Sequence, residues 1–463
     1  MLFNTTNFFL FLSVVLVLFY ASPRSWRRYI LLLASYYFYA SWNAKFIALL
    51  LTLTVIDYTA ARWIEKLPPG RKRKAALSVS LCANLGFLGF FKYYNFLAGN
   101  LALLFGRPAN AWFLDIVLPL GISFHTFQSI SYVVDVYRGE QQAVRDPVDY
   151  ALFICFFPQL VAGPIVRART FFHDLLKWSP PVADDLRRGL FLMALGLIKK
   201  MAFADQFAKV ANGYFQNVAG NPGVLAAWSG VLAFGMQIYF DFSGYTDMAI
   251  GMAKLLGFHF PVNFRRPYLA SSITDFWRRW HISLSSWLRD YLYIPLGGSR
   301  HGQWMTYRNL MLTMLLGGLW HGANWNFLIW GGYHGALLSI ERALGVRPEK
   351  PVSAWLYPIR MMLTTALALI GWVFFRAADF TQSRLILGAM FHGTAGQWQL
   401  EPWHMELIVL ALFLALWEEK WEWFERLMVA PRLVYASALA LVLFGVDVFG
   451  VIDASVPFIY FQF

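Results

Sequence analysis

Apolar runs recur from one end of this chain to the other: Asn7–Tyr20, Phe46–Ala61, Ala75–Phe91, Trp228–Tyr239, Leu310–Trp320, Met361–Phe375 and Val434–Val446. With their flanks they approach the roughly 20 residues a helix needs to cross hydrocarbon. In that solvent a spanning segment must satisfy its own backbone N–H and C=O groups, so continuous runs of this kind permit helices and little else. Hydrophobic residues make up 58% of the sequence and charged residues only 14%, which excludes an ordinary soluble protein. The expected fold class is an all-α polytopic membrane protein with about 11 transmembrane helices plus re-entrant or interfacial helices. The opening MLFNTTNFFLFL has neither a basic first region nor a small-residue cleavage site, so it reads as a retained first helix.

The net charge of +13 could suggest nucleic acid, but its distribution argues otherwise. Basic residues gather in short loops at Arg24, Arg27 and Arg28, at Lys66 with Arg71–Lys74, at Arg187 and Arg188, and at Arg265 and Arg266. That is the pattern of cytoplasmic loops facing anionic lipid, and no nucleic-acid partner is expected. The same rule starts Met1 outside and, since Arg432 precedes the run Leu433–Ile452, ends the chain outside. Cys82 and Cys155 sit in apolar segments without a disulfide or C-x-x-C pattern and read as packing residues.

From about Pro119 to Arg300 the hydrophobic pattern is interrupted by GISFHTFQSISYVVDVYRG, FFPQLVAGPI and YFDFSGYTDMAIG. Irregular backbone at membrane depth survives only where protein buries it or where it lines a cavity. Short or re-entrant helices around an internal space are expected there.

Two histidines fall in this setting. His321 stands in GGLWHGANW, with Trp320 before it and Asn324 three residues on. A neutral imidazole in a low-dielectric site has a nitrogen available as a general base, and intramembrane ionisable groups are functional by default. In that reading Asn324 could fix a ring tautomer or a carbonyl; the plainer possibility is a buried histidine bonded to a backbone carbonyl. His281 stands in DFWRRWHISLSSWLRDYLYIPLGG among Asp275, Arg278, Arg279, Arg289 and Asp290. Helical spacing would place Arg278 and His281 on one face near Ser285, suited to phosphates. Alternatively the segment is an interfacial amphipathic helix with Trp277, Trp280 and Trp287 as belt anchors.

His125 and His334 also lie in apolar surroundings, whereas His173, His259, His301, His392 and His404 read as loop or interface residues. Asp241 and Asp247 could relay protons, but pairing with Arg265 or Arg266, or capping a helix near Thr246, explains them more simply. No phosphate-binding loop, nucleophile elbow or metal-ligand spacing occurs, and no metal is expected. The final VPFIYFQF crowds aromatics that water would not favour, so it should fold back into the protein or dock at the interface, offering the Tyr460 hydroxyl.

In their order the strings GISFHTFQSISYVVDVYRG, FFPQLVAGPIVR, YFDFSGYTDMAIG, DFWRRWHISLSSWLRDYLYIPLGG, LLGGLWHGANW and GWVFFRA resemble the membrane-bound O-acyltransferases of the bacterial alginate O-acetylation type. The resemblance covers almost the whole chain. It implies a helical enzyme around a central tunnel, with His321 at the catalytic position and His281 at the second characteristic histidine. It also implies a cytoplasmic thioester donor, acetyl-CoA or another acyl thioester, with no tightly bound cofactor. Arg278, Arg279, Arg289, Asn324, Trp320 and Asp241 become candidate substrate contacts, joined by Arg265 and Arg266 for the donor phosphates. FIYFQF looks like a terminal motif proposed elsewhere as an acyl carrier, which gives that role to Tyr460.

The resemblance further implies an extracytoplasmic O-acyltransferase partner protein, a polysaccharide acceptor such as alginate, and residence in the bacterial cytoplasmic (inner) membrane. One integral-membrane domain over 1–463 is expected, with N-terminal spans in 1–118, the catalytic tunnel region in 119–345, and C-terminal spans and tail in 346–463. D-alanyl transfer to teichoic acid, a saccharide transporter or flippase coupled through Asp241 and Asp247, and a non-catalytic scaffold are the alternatives.

Overall fold

The computed structural model describes residues 1–161, 163–346, 352–451 and 457–459. Among them all regular structure is helical, with no strand. Five helical stretches, Arg24–Lys66, Arg71–Leu104, Val224–Leu255, Leu356–Arg376 and Arg432–Phe449, are long and apolar enough to cross a membrane. The chain forms two compact units, residues 1–190 with 249–261, and residues 191–248 with 262–463.

The first unit holds α1 (Thr6–Ala21), α2 (Arg24–Asn43), α3 (Ile47–Lys66), α4 (Arg71–Leu88), α5 (Tyr94–Leu104), α6 (Ile122–Arg138), α7 (Pro147–Cys155), the single turn α8 (Phe157–Leu160) and α9 (Ala168–Leu176), and it takes in the start of α10 (Ala183–Ile198). Pro68 and Pro69 cannot extend α3, and Gly70 turns the chain into α4 with φ 156°. Asp146 caps α7 by accepting the Val148 N–H at 2.9 Å, with Pro147 at the first helical position. Helix α6 is buried over almost its whole length, as its mixed polar and apolar string requires. Between α3 and α4 the fully buried carboxylate of Asp57 accepts from the Ser80 hydroxyl and, at 2.8 Å, from the Asn84 amide. Cys155 is buried, whereas Cys82 is exposed on α4.

The second unit holds α11 (Asp205–Gln216), the Val224–Met248 part of α12 (Val224–Leu255), α13 (Ile273–Arg279), α14 (Ile282–Leu288), α15 (Gly302–His321), α16 (Trp325–Ala343), α17 (Leu356–Arg376), α18 (Phe380–Phe391), α19 (Pro402–Trp421), α20 (Trp423–Val429) and α21 (Arg432–Phe449). Helices α15 and α16 form a hairpin whose closeness is set by missing side chains. A Cβ on Gly318 would stand 2.2 Å from the Phe327 carbonyl oxygen, and one on Gly331 would stand 2.3 Å from that of Met314. Small residues facing each other are the usual means of close helix approach in membranes.

Asn324 starts α16 by accepting the Asn326 N–H at 2.9 Å. Ser272 caps α13, and Glu341 reaches back from α16 to accept the Ile273 and Thr274 N–H groups at 2.6 and 2.8 Å. The N-terminus of α13 is thereby tied to the hairpin.

Helix α19 continues to Trp421, and only Glu422, at φ 49°, separates it from α20. Two expectations fail here. Helix α12 passes through Thr246 without a start there, so neither aspartate caps a helix at that point. His404 is buried, and its Nδ1 accepts the Glu401 N–H at 3.2 Å in a reciprocal cap of α19.

Candidate active site

The segment carrying His281 does not form the continuous helix that spacing suggested. Helix α13 stops at Arg279, Trp280 is extended, and His281 takes left-handed angles of φ 42° and ψ 56° before α14 begins. A left-handed non-glycine residue costs about 1–3 kcal/mol and persists only when its surroundings fix it. Asn263 does so. Its carbonyl oxygen Oδ1 accepts the Ser283 N–H at 3.1 Å and the Ser283 hydroxyl at 2.9 Å, and it lies 3.2 Å from His281 Nδ1. The backbone carbonyl of Asn263 also accepts the Ile282 N–H at 2.9 Å.

Since the backbone N–H of Ser283 can only donate, the amide atom it faces is the oxygen, and His281 Nδ1 must donate to it too. The lone pair of the ring is therefore on Nε2. His281 has no exposed surface, and burial pushes its pKa down to about 3, so the ring is neutral.

With the helix broken, Arg278 and His281 do not share a helical face. The belt reading of this segment also fails, because Trp280 and Trp287 are buried at 2% and 6% exposure. Instead, Trp280 stacks on Phe276 and packs on Trp372 at 4.9 Å. Burying both indoles leaves no interfacial row.

His321 ends α15 and is buried. Its ring meets Trp320 at 4.9 Å, Trp330 at 5.1 Å and Phe375 at 5.1 Å. Trp320 lies 6.3 Å from the His281 ring, so one indole touches both histidines. His334 extends the series through Trp330 at 5.1 Å, and among the described residues neither of its ring nitrogens has a hydrogen-bond partner.

The remaining candidates fall elsewhere. Asn324 spends its side chain on the α16 cap and on the Ala378 carbonyl at 3.2 Å. Arg279 pairs with Asp275 at 2.9 Å and with Glu419 at 3.1 Å, and Arg266 pairs with Glu419 at 2.6 Å. Arg289 is exposed and pairs with its neighbour Asp290 at 2.8 Å. Arg265 and Arg278 are exposed.

Asp241 and Asp247 pair with neither Arg265 nor Arg266. Asp241 meets Lys200 at 2.7 Å, and Asp247 meets Lys199 at 2.6 Å. Lysines 199 and 200 sit in the π turn Lys199–Ala204, and these two adjacent residues meet two acids six positions apart on α12. Tyr460 lies outside the described residues. Its neighbours Phe458 and Ile459 are buried, and the Ile459 N–H donates to Asp241 Oδ2 at 2.6 Å. Asn263, Lys200 and Glu341 escaped the sequence reading, because each acts on a residue 18 or more positions away.

Helices of this length and apolarity mark a membrane protein, and its second unit holds a wall of buried histidines and indoles. Residues 76–378 match the profile of the membrane-bound O-acyltransferase family, to which the chain belongs, and it is accordingly an acyltransferase. It is 46% identical over 408 residues to a Pseudomonas syringae pv. tomato protein named probable alginate O-acetylase AlgI, covering 86% of this chain and 76% of the relative. The peptidoglycan O-acetyltransferase of Helicobacter pylori is 38% identical over 84% of this chain and 80% of its own length. The teichoic acid D-alanyltransferase of Bacillus subtilis is 30% identical over 56% of this chain and 69% of its own length.

Proposed function

We propose that this protein is an O-acetyltransferase of the cytoplasmic membrane that passes acetyl groups from a cytoplasmic thioester, acetyl-CoA, toward an extracytoplasmic polysaccharide such as alginate. The observation that carries the reading is the contact of one indole, Trp320, with the rings of both His281 and His321, inside the family-matched region. An apolar, aromatic surround keeps imidazole neutral and therefore able to accept a proton. His321 acts as general base: the attacking hydroxyl gives it a proton as the oxygen bonds to the thioester carbonyl carbon. The C–S bond then breaks, and the thiolate leaves with that proton. His281, held in one tautomer by Asn263, orients donor or acceptor.

Tyr460 is the proposed carrier, taking the acetyl group as a phenolic ester and yielding it to an extracytoplasmic partner protein that acetylates the glycan. Arg265, Arg278 and Arg289, all exposed, are the proposed contacts for donor phosphates. Acetyl is favoured over D-alanyl cargo because similarity to the two acetylating relatives runs over 86% and 84% of the chain, against 56% for the D-alanyltransferase.

The test is purified full-length protein given acetyl-CoA with a labelled acetyl group, wild type beside His321→Ala. Thiol release that disappears in the variant, with the fold kept, is expected. Wild-type turnover by His321→Ala would remove the base from the scheme.

A further inference from the structure

The interior of the second unit contains an ion cluster that the scheme above does not use. Lys200 lies 2.7 Å from Asp205 and 2.7 Å from Asp241, and all three are at least 95% buried. With both carboxylates ionised, one ammonium leaves a net negative charge in a medium where unpaired charge is costly. Asp241 meets that need with its second oxygen, by accepting the N–H of Ile459 from 218 residues further along the chain.

The same stretch is gripped twice more. The Val451 N–H donates to the carbonyl of Met201, the residue after Lys200, at 3.1 Å, and the Gln206 amide donates to the Phe449 carbonyl at 2.9 Å. Phe458 then stacks on Tyr245 at 4.6 Å and packs on Phe242 at 5.7 Å. Phe242 itself presents an edge-to-face contact to His281 at 4.7 Å. A single ring separates the docked segment from the second histidine.

We propose that Asp241 and Lys200 form a latch that holds Phe458–Ile459 against the histidine wall. They act as positioning residues for acyl transfer to the residue that follows in sequence, Tyr460. The positioning role rests on the carrier reading given above; the latch itself does not. Asp241 accordingly leaves the set of substrate contacts. Its carboxylate is turned to the chain's own backbone, with Lys200 holding it in register. The ion coupling once considered for it has no part in this arrangement.

The test compares two double variants of the full-length protein in detergent by hydrogen exchange. Asp241→Leu with Lys200→Met removes both charges and the acceptor. Asp241→Asn with Lys200→Met removes both charges but keeps an oxygen facing the Ile459 N–H. Both variants remove the Asp241–Lys200 pair and leave Asp205 in the same state, so a difference between them isolates the acceptor, and wild-type protection of peptides from α15 and α16 reports an intact fold. The peptide carrying Ile459 should exchange at least ten-fold faster in the leucine variant and stay protected in the asparagine variant. Equal exchange in the two variants would overturn the latch.

Labelled acetyl recovered on that peptide should fall at least ten-fold in the leucine variant and return in the asparagine variant. Wild-type labelling with the segment released would overturn the positioning role. A wild-type protein that labels nothing there defeats the carrier reading, while the exchange rates still decide the latch.

Discussion

Gly318→Ala tests whether the geometry of the α15–α16 hairpin sets the activity. The added methyl group would stand 2.2 Å from the Phe327 carbonyl oxygen and 3.2 Å from the Gly331 Cα. Carbon–oxygen contacts in helix interfaces run at about 3.3–3.6 Å, so the two helices must part by about 1 Å. Both obstacles are backbone, and no side chain can swing aside. Overpacking of this kind costs about 1–3 kcal/mol. His321 lies in the last turn of α15, so the parting moves its ring relative to Trp330 and Phe375. A reacting group misplaced by about 1 Å can lose about 10²-fold in rate.

Thermal unfolding in detergent and thiol release from acetyl-CoA measure the two effects separately. A lowered midpoint and a turnover reduced by about two orders of magnitude are expected. Gly86→Ala is the control: that position is inside α4 with nothing within 4 Å of the new Cβ. It should be neutral or stabilising by about 0.5–1 kcal/mol through helix propensity alone. Gly318→Ala with wild-type midpoint and turnover would refute the claim that this close approach matters.

Two further outcomes follow from His281 and its support. Asn263→Ala takes the shared acceptor from Ser283 and from the imidazole; it should cost about 1–3 kcal/mol in unfolding measurements and lower turnover more than substrate affinity. An unchanged ratio of kcat to KM would separate the tautomer from catalysis. The pKa of His281, lowered from 6.5 to about 3, also sets an acid limit. Above pH 6.5 the ring is neutral both folded and unfolded and contributes no pH dependence. Below it the unfolded chain takes up a proton that the folded chain refuses, so this group lowers stability by roughly 1.4 kcal/mol per pH unit. Acid unfolding profiles of wild type and His281→Gln should diverge below pH 6.5, and superimposable profiles would contradict the burial argument.

What the sequence conveys about this protein is uneven for physical reasons. Continuous apolar runs have one structural solution in lipid, so the helical class follows from hydropathy, and long motif strings in fixed order carry the family. The α15–α16 hairpin was half legible: its glycines stand out in LLGGLWHG and WGGYHG, though not the carbonyl oxygens they approach. His281 was misread because i, i+3 spacing presumes an unbroken helix. What breaks it is Asn263, 18 positions upstream, whose effect no local pattern encodes. The same holds for Asp241, whose arginine neighbours in sequence were weaker guides than Lys200 across the unit. Trp280 and Trp287 look like interface anchors by composition, and packing decides otherwise.

The buried carboxylate between α3 and α4 has a consequence for how the chain enters the bilayer. Helix α3 threading in alone would carry Asp57 bare into hydrocarbon, at a cost of about 2.5–3.5 kcal/mol on insertion scales. Two of the donors that solvate it, Ser80 and Asn84, belong to α4. A nascent chain released from the insertion machinery as the α3–α4 pair brings acid and donors in together. Biogenesis, and not only the finished fold, thus favours a two-helix unit of entry at Pro68–Gly70.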